Sequence, residues 1–165
     1  FETEIGPEET AGELGTRLAR IAAQAVTAGV PKVLAGAYVP QKQNDADMTL
    51  APILKKEDGA IDWKKSAKEI HDHVRGMSPW PGAFTRAKGK IVKVHSTRIP
   101  AEIAASSQKQ ADPGTVVFAD KVRVLVACGS GVLELGRVQL EGKKAIAAHE
   151  WHLGRGVIAG EVLGS

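Results

Sequence analysis

The side chains best equipped for chemistry are few. His71 and His73 stand two apart on a predicted helix and cannot share a face, whereas His149 and His152, three apart, can. No cysteine or carboxylate set completes a tetrahedral metal site around either pair, so these histidines read as structural or surface residues and no metal is expected. Cys128 falls in a predicted strand among apolar neighbours, where a free thiol behaves as a small hydrophobe. Glu57-Asp58 is a carboxylate pair in a connector, Gly129-Ser130-Gly131 reads as a hairpin turn, and Gly154-Arg155-Gly156 lacks the strand and helix of a phosphate-cradling loop. No catalytic constellation emerges.

What remains is charge. Residues 1–50 hold 4 basic and 7 acidic side chains, and residues 86–155 hold 12 and 6, so the overall +3 belongs to the second half. Lys88, Lys90, Lys93, Arg98, Lys121, Arg123, Arg137, Lys143 and Lys144 fall on predicted strands and turns. Several could line one face and contact phosphates without reading bases. A solvated lysine-rich surface is the competing reading. Phe84 and Phe118 are the only strand aromatics, which favours the backbone of a folded RNA over a stacked single strand. Trp63 and Trp80, the latter held between Pro79 and Pro81, read as core anchors.

Among the elements that must carry these groups, Glu2–Ile5 reads as the end of a strand. Thr10-Ala11-Gly12-Glu13 then has capping-box spacing, and Leu14, Leu18, Ile21 and Ala25 form the stripe of an amphipathic helix, weakened at Gly29 and Pro31 and ended by Gly36. Polar residues through Asp47 and isolated apolar ones up to Trp63 suit an extended linker pinned at a few points. Ser66-Ala67-Lys68-Glu69 repeats the capping box before a short helix with Ala67, Ile70, Val74 and Met77 on one side. Beyond Pro81 the period becomes two. Strands are expected at 84–87 and 91–99 about a Lys88-Gly89 turn, then a polar loop from Ala104 to Asp112, then strands at 115–118, 122–128 and 131–140. Leu133 and Leu135 differ in parity from Val138 and Leu140, which places a bulge at Gly136. A helix at 148–153 and an apolar tail follow. The fold class is α+β: an N-terminal amphipathic helix and extended linker, then a small antiparallel OB-like β-barrel with short helices, with an open sandwich as the rival.

No run approaches the roughly 20 apolar residues of a membrane helix, and a single cysteine fits a reducing compartment, so a cytoplasmic protein with no membrane partner is expected. The chain opens Phe1-Glu2-Thr3 without methionine, as in a processed product or a fragment.

Five ordered stretches carry a resemblance: Leu50–Trp63 (LAPILKKEDGAIDW), Val74–Ala83 (VRGMSPWPGA), Pro113–Val116 (PGTV), Ala127–Gly131 (ACGSG) and Glu141–Ala145 (EGKKA). In order, they resemble the linker and C-terminal domain of methionyl-tRNA formyltransferases, and Glu9–Leu14 with its helix looks like the last helix of that family's N-terminal domain. The resemblance implies that residues 1–37 end a Rossmann-like formyltransferase domain, 38–63 form an interdomain linker and 64–165 an OB-like tRNA-contacting domain. It implies a parent enzyme that transfers a formyl group from 10-formyltetrahydrofolate to the amino group of initiator methionyl-tRNA. Donor and catalytic residues would belong to the N-terminal domain, a partner missing from this chain, and the parent would be monomeric. Leu50, Ile53 and Ser130 depart from the family's usual Tyr, Lys and Asp, so the linker contact to tRNA is expected at Lys55 and Lys56. The expected interface is thus Lys55, Lys56, Lys90, Lys93, Lys121, Arg123, Arg137, Lys143 and Lys144. A stand-alone nucleic-acid-binding module, or a formyltransferase domain serving another acceptor such as a nucleotide sugar, would share the same barrel.

Overall fold

A computed structural model describes residues 1–100 and 111–164. The expected loop from Ala104 to Asp112 lies largely outside them. The chain divides into two units, Phe1–Leu54 and Lys55–Ser165.

The first unit is dominated by α1 (Ala11–Leu34). The Thr10 hydroxyl accepts from the Glu13 amide at 3.3 Å, and the Glu13 carboxylate accepts from the Thr10 amide at 2.9 Å, so the capping box forms as its spacing requires. The helix runs on through Pro31. None of its side chains is buried. Glu2–Ile5 is irregular rather than the end of a strand: the Glu4 carbonyl accepts from the Arg17 guanidinium at 2.7 Å, which also pairs with Glu9. That backbone group is therefore turned toward a side chain instead of a neighbouring strand. A 3₁₀ turn at Asp45–Asp47 interrupts the polar stretch.

The second unit opens with a 3₁₀ turn at Lys56–Gly59 and holds α2 (Ala67–Gly76), β1 (Ala83–Ala87), β2 (Lys90–Arg98), β3 (Val116–Ala119), β4 (Val124–Ala127), β5 (Val132–Leu140), β6 (Ile146–Ala147) and α3 (Ala148–Leu153). All ladders are antiparallel, in the order β1-β2-β5-β4-β3, with β6 paired to β5. Lys88 and Gly89, with φ of 52° and 74°, make the tight β1–β2 turn whose twist matches the strands.

The bulge falls where the apolar parity changes. Ser96 pairs with Arg137 and Thr97 with Leu135, so Gly136 has no partner in that ladder, and a Cβ there would sit 2.5 Å from Ser96 Oγ. The extra residue lets Leu133, Leu135 and Val138 all turn inward.

The chain's last stretch joins the two outer strands. Gly160 N–H donates to the Val116 carbonyl, Val116 N–H to Glu161 and Leu163 N–H to Gly114, while Gly164 N–H donates to the Arg86 carbonyl, each at 2.8 Å. Residues 160–164 therefore bridge β3 to β1 and make the sheet barrel-like.

Trp63 lies beneath this seam. Its indole N–H donates to Thr85 Oγ1 at 2.9 Å, and a Cβ on Gly114 or Gly164 would come within 3.4 Å and 3.2 Å of its ring. Ile61, Trp63, Ile70, Val74, Val92, Val94, Leu133, Leu135 and Trp151 belong to one core. Ile61 and Trp63 are thus part of the barrel unit itself. Gly129 is required by contact: its amide donates to the Trp63 and Lys65 carbonyls at 2.9 Å, and a Cβ would come within 1.7 Å of the Lys64 carbonyl oxygen.

One sequence expectation fails clearly. Trp80 is 58 % exposed, against 5 % for Trp63 and 3 % for Trp151, so it is no core anchor. The loop 78–82 turns back on itself, Gly82 N–H donating to the Met77 carbonyl at 2.8 Å, and leaves the indole outside.

Candidate nucleic-acid interface

The pleat decides which polar residues share a surface. Val92 and Val94 are buried, so Lys93 points outward, and its register partners Phe84 on β1 and Gln139 on β5 lie on that same outer face. Arg86 pairs with Ile91 in the neighbouring outward row. Beyond the bulge, the Arg137 amide donates to Ser96 Oγ at 3.0 Å, and its guanidinium donates to the Ala145 carbonyl at 3.2 Å.

A polar relay crosses the face. Gln139 donates through Nε2 to the Lys143 carbonyl at 2.8 Å, which leaves its Oε1 to accept from His95 Nε2 at 3.0 Å. Lys93, His95, Gln139 and the turn holding Lys143 and Lys144 are thereby tied into one surface. Two clefts flank Lys93. One of about 160 Å³ is walled by Ser78, Pro79, Gly82, Lys93, Val94 and His95, and one of about 290 Å³ by Ile91, Lys93, Gln139, Leu140, Glu141 and Gly142.

Of the nine expected cations, Lys93 and Arg137 lie on this face, the turn holding Lys143 and Lys144 is tied to it through the Lys143 carbonyl, and Lys90 begins β2 at its edge. Lys55 and Lys56 stand on the turn leading to Ala60, which bridges to Phe84 on the β1 side. Lys121 and Arg123 are not brought to it. They occupy the β3–β4 turn at the other end of the strand order, where Asp120 Oδ1 accepts from the Val122 and Arg123 amides at 2.8 Å. Those two amide bonds, Arg123's first, hold the Asp120 carboxyl below its usual range, and the Arg123 guanidinium lies 5.6 Å from the Phe118 ring centroid. Lys88 is drawn off by Glu161 at 2.8 Å. Sequence reading missed Arg86, His95 and Gln139; once β2 and β5 are in register, strand parity alone puts them on the face.

The remaining chemical candidates are structural. His71 is buried with Nδ1 3.0 Å from Thr97 Oγ1, and His152 Nδ1 donates to the Val157 carbonyl at 2.9 Å. Burial pushes the Cys128 thiol up to about 12, which removes its thiolate at neutral pH. Among the described residues no group of three or more His, Cys, Asp and Glu could hold a metal ion, and no helix is long and apolar enough to cross a membrane.

Fold and surface together define a small antiparallel barrel module with a cationic, polar outer face suited to phosphate contacts. The model of the formyl transferase C-terminal domain matches residues 53–156, and the chain belongs to that family. It is 45% identical over 162 residues to the methionyl-tRNA formyltransferase of Sorangium cellulosum, covering 98% of this chain and 51% of that protein, and 44% identical to that of Solibacter usitatus, covering 99% and 50%. The chain thus spans about half the length of the curated relatives it matches. Among solved structures, a variant of HypX from Aquifex aeolicus superposes with a TM-score of 0.62 at 15% identity, over 92% of this chain and 27% of that one. HypX in complex with tetrahydrofolic acid gives 0.57 at 18%, over 81% and 23%. At such identities the likeness is one of fold.

Proposed function

We propose that this chain is the C-terminal half of a cytoplasmic methionyl-tRNA formyltransferase and that its OB-like barrel holds initiator methionyl-tRNA while a preceding domain transfers the formyl group. The observation that carries the reading is the 45% identity along 98% of the chain to an enzyme of that name. The outer face of β1, β2 and β5 supports it, because it gathers cations that can meet phosphates. In this reading 10-formyltetrahydrofolate and the reacting groups belong to the preceding domain, and no residue of this chain touches the donor. The barrel lowers the entropy of encounter by fixing the tRNA backbone, so its contribution falls on substrate binding rather than on bond making. The parent enzyme is a monomer.

Binding of initiator tRNA to the chain, followed at rising salt, tests the reading. For roughly six phosphate contacts, affinity should fall about a thousandfold between about 50 mM and 200 mM salt. The double variant Lys143→Glu/Lys144→Glu should weaken binding and flatten that slope. In the full-length enzyme it should raise KM for methionyl-tRNA and leave kcat little changed. Wild-type affinity in the double variant would remove this surface from the interface, and equal affinity for unrelated polyanions would point to another acceptor.

A further inference from the structure

We infer that the Trp80 indole is a stacking platform for one unpaired base of the bound RNA, with Lys93 taking the adjoining phosphate. The inference rests on the reading that the partner is an RNA, and it adds base contact to a surface otherwise suited only to backbone.

Three observations converge on it. An indole is among the most costly groups to leave in water, and the two other tryptophans are buried while Trp80 is not. Its loop is already ordered: Pro79 and Pro81 fix their own φ, and Gly82 is tied to Met77, so a ligand meets a ring with little backbone entropy left to lose. The surroundings are cationic and polar. Ser78, Pro79 and Gly82 of the Trp80 loop wall the smaller cleft together with Lys93 and His95, and Lys93 also borders the larger cleft that runs to Gly142. An exposed aromatic on the loop that walls one cleft, with a cation shared by that cleft and the next, supplies the two groups with which single-stranded nucleic acid is held, base on ring and phosphate on ammonium.

A protein partner would demand something else. Docking patches are contiguous and apolar, and here Lys93 and its register partner Gln139 lie beside the half-buried Phe84 and break that continuity. Stacking is tolerant of base identity, so the ligand class is an unpaired loop or end of an RNA rather than a particular sequence.

The test is a titration of the chain with initiator tRNA and with a twelve-nucleotide unpaired RNA, reading tryptophan emission and affinity together. Because Trp63 and Trp151 are buried, quenching on binding reports Trp80. Wild type should be quenched by both RNAs, and Trp80→Phe should bind with little loss but lose that quenching. Trp80→Ala should bind about tenfold more weakly, within the range for one base–aromatic stack, with an unchanged salt slope. Equal thermal midpoints for wild type and Trp80→Ala establish that the barrel is intact; if they differ, quenching in wild type against Trp80→Phe decides alone. Salt-sensitive binding with unaltered emission and unaltered Trp80→Ala affinity would overturn the stacking role only and give the indole to a protein partner. No binding of either RNA by wild type would overturn the tRNA reading and this inference with it.

Discussion

The two capped helices start by the same local chemistry and end in opposite circumstances. At α1 the Thr10 hydroxyl and Glu13 carboxylate exchange hydrogen bonds with each other's amides, and at α2 Ser66 and Glu69 do the same, at 3.2 Å and 2.9 Å. α2 has 10 residues and buries Ala67, Ile70, His71 and Val74; α1 has 24 and buries none. A capping box therefore settles where a helix begins and says nothing about whether tertiary packing will hold it. Length compensates in α1, because propagation adds a hydrogen bond per residue once a nucleus exists, whereas α2 is too short to persist without its buried face.

The sharpest way to break this comparison is to empty one site in each unit. Trp63→Ala removes a buried indole and its bond to Thr85, and should cost about 3–5 kcal/mol in the urea transition of the barrel. Leu18→Ala, at the exposed position of the α1 stripe, should leave that transition within about 0.5 kcal/mol. Similar losses from both would show that α1 is packed as firmly as the barrel. A smaller effect separates the caps. Ser66→Ala should lower barrel stability by about 1 kcal/mol, while Thr10→Ala should reduce helical circular dichroism and leave the barrel midpoint in place.

The smallest effect is in pH. The Ser66 hydroxyl, then the Ser66 amide, hold the Glu69 carboxyl below its ordinary value of 4.5. A carboxyl depressed in the folded state stabilises above its unfolded pKa and loses that contribution as pH falls through the folded value. The stability gap between wild type and Ser66→Ala should therefore be full at neutral pH and narrow below 4.5 in a series of urea transitions. A gap constant down to pH 3 would mean that the hydroxyl acts on the backbone alone.

Legibility followed the range of the interaction. Both capping boxes, the Lys88-Gly89 turn and the Gly136 bulge could be read because their causes lie within a few residues: a reciprocal side-chain spacing, a positive-φ pair, a change of apolar parity. Trp63 could be read as a core anchor from its size alone, whereas Ile61 could not be read as core, since isolated apolar residues carry no period. The proline-flanked Trp80 spells the same sequence whether its ring faces in or out, and in the folded loop, where Gly82 returns to Met77, it faces out. The candidate interface was legible as a basic half of the chain but not as a face. Lys93 and Arg137 share a face because β2 pairs with β5, more than 40 residues away, whereas Lys121 and Arg123, equally basic in sequence, are held apart by the strand order.

The seam made by residues 160–164 has a consequence in time. A ribosome releases β1 and β3 long before the segment that joins them, so the ring of backbone hydrogen bonds cannot be completed until Gly164 has left the exit tunnel. Until then Arg86 and Val116 present open strand edges, the partner-seeking surfaces that the finished barrel conceals.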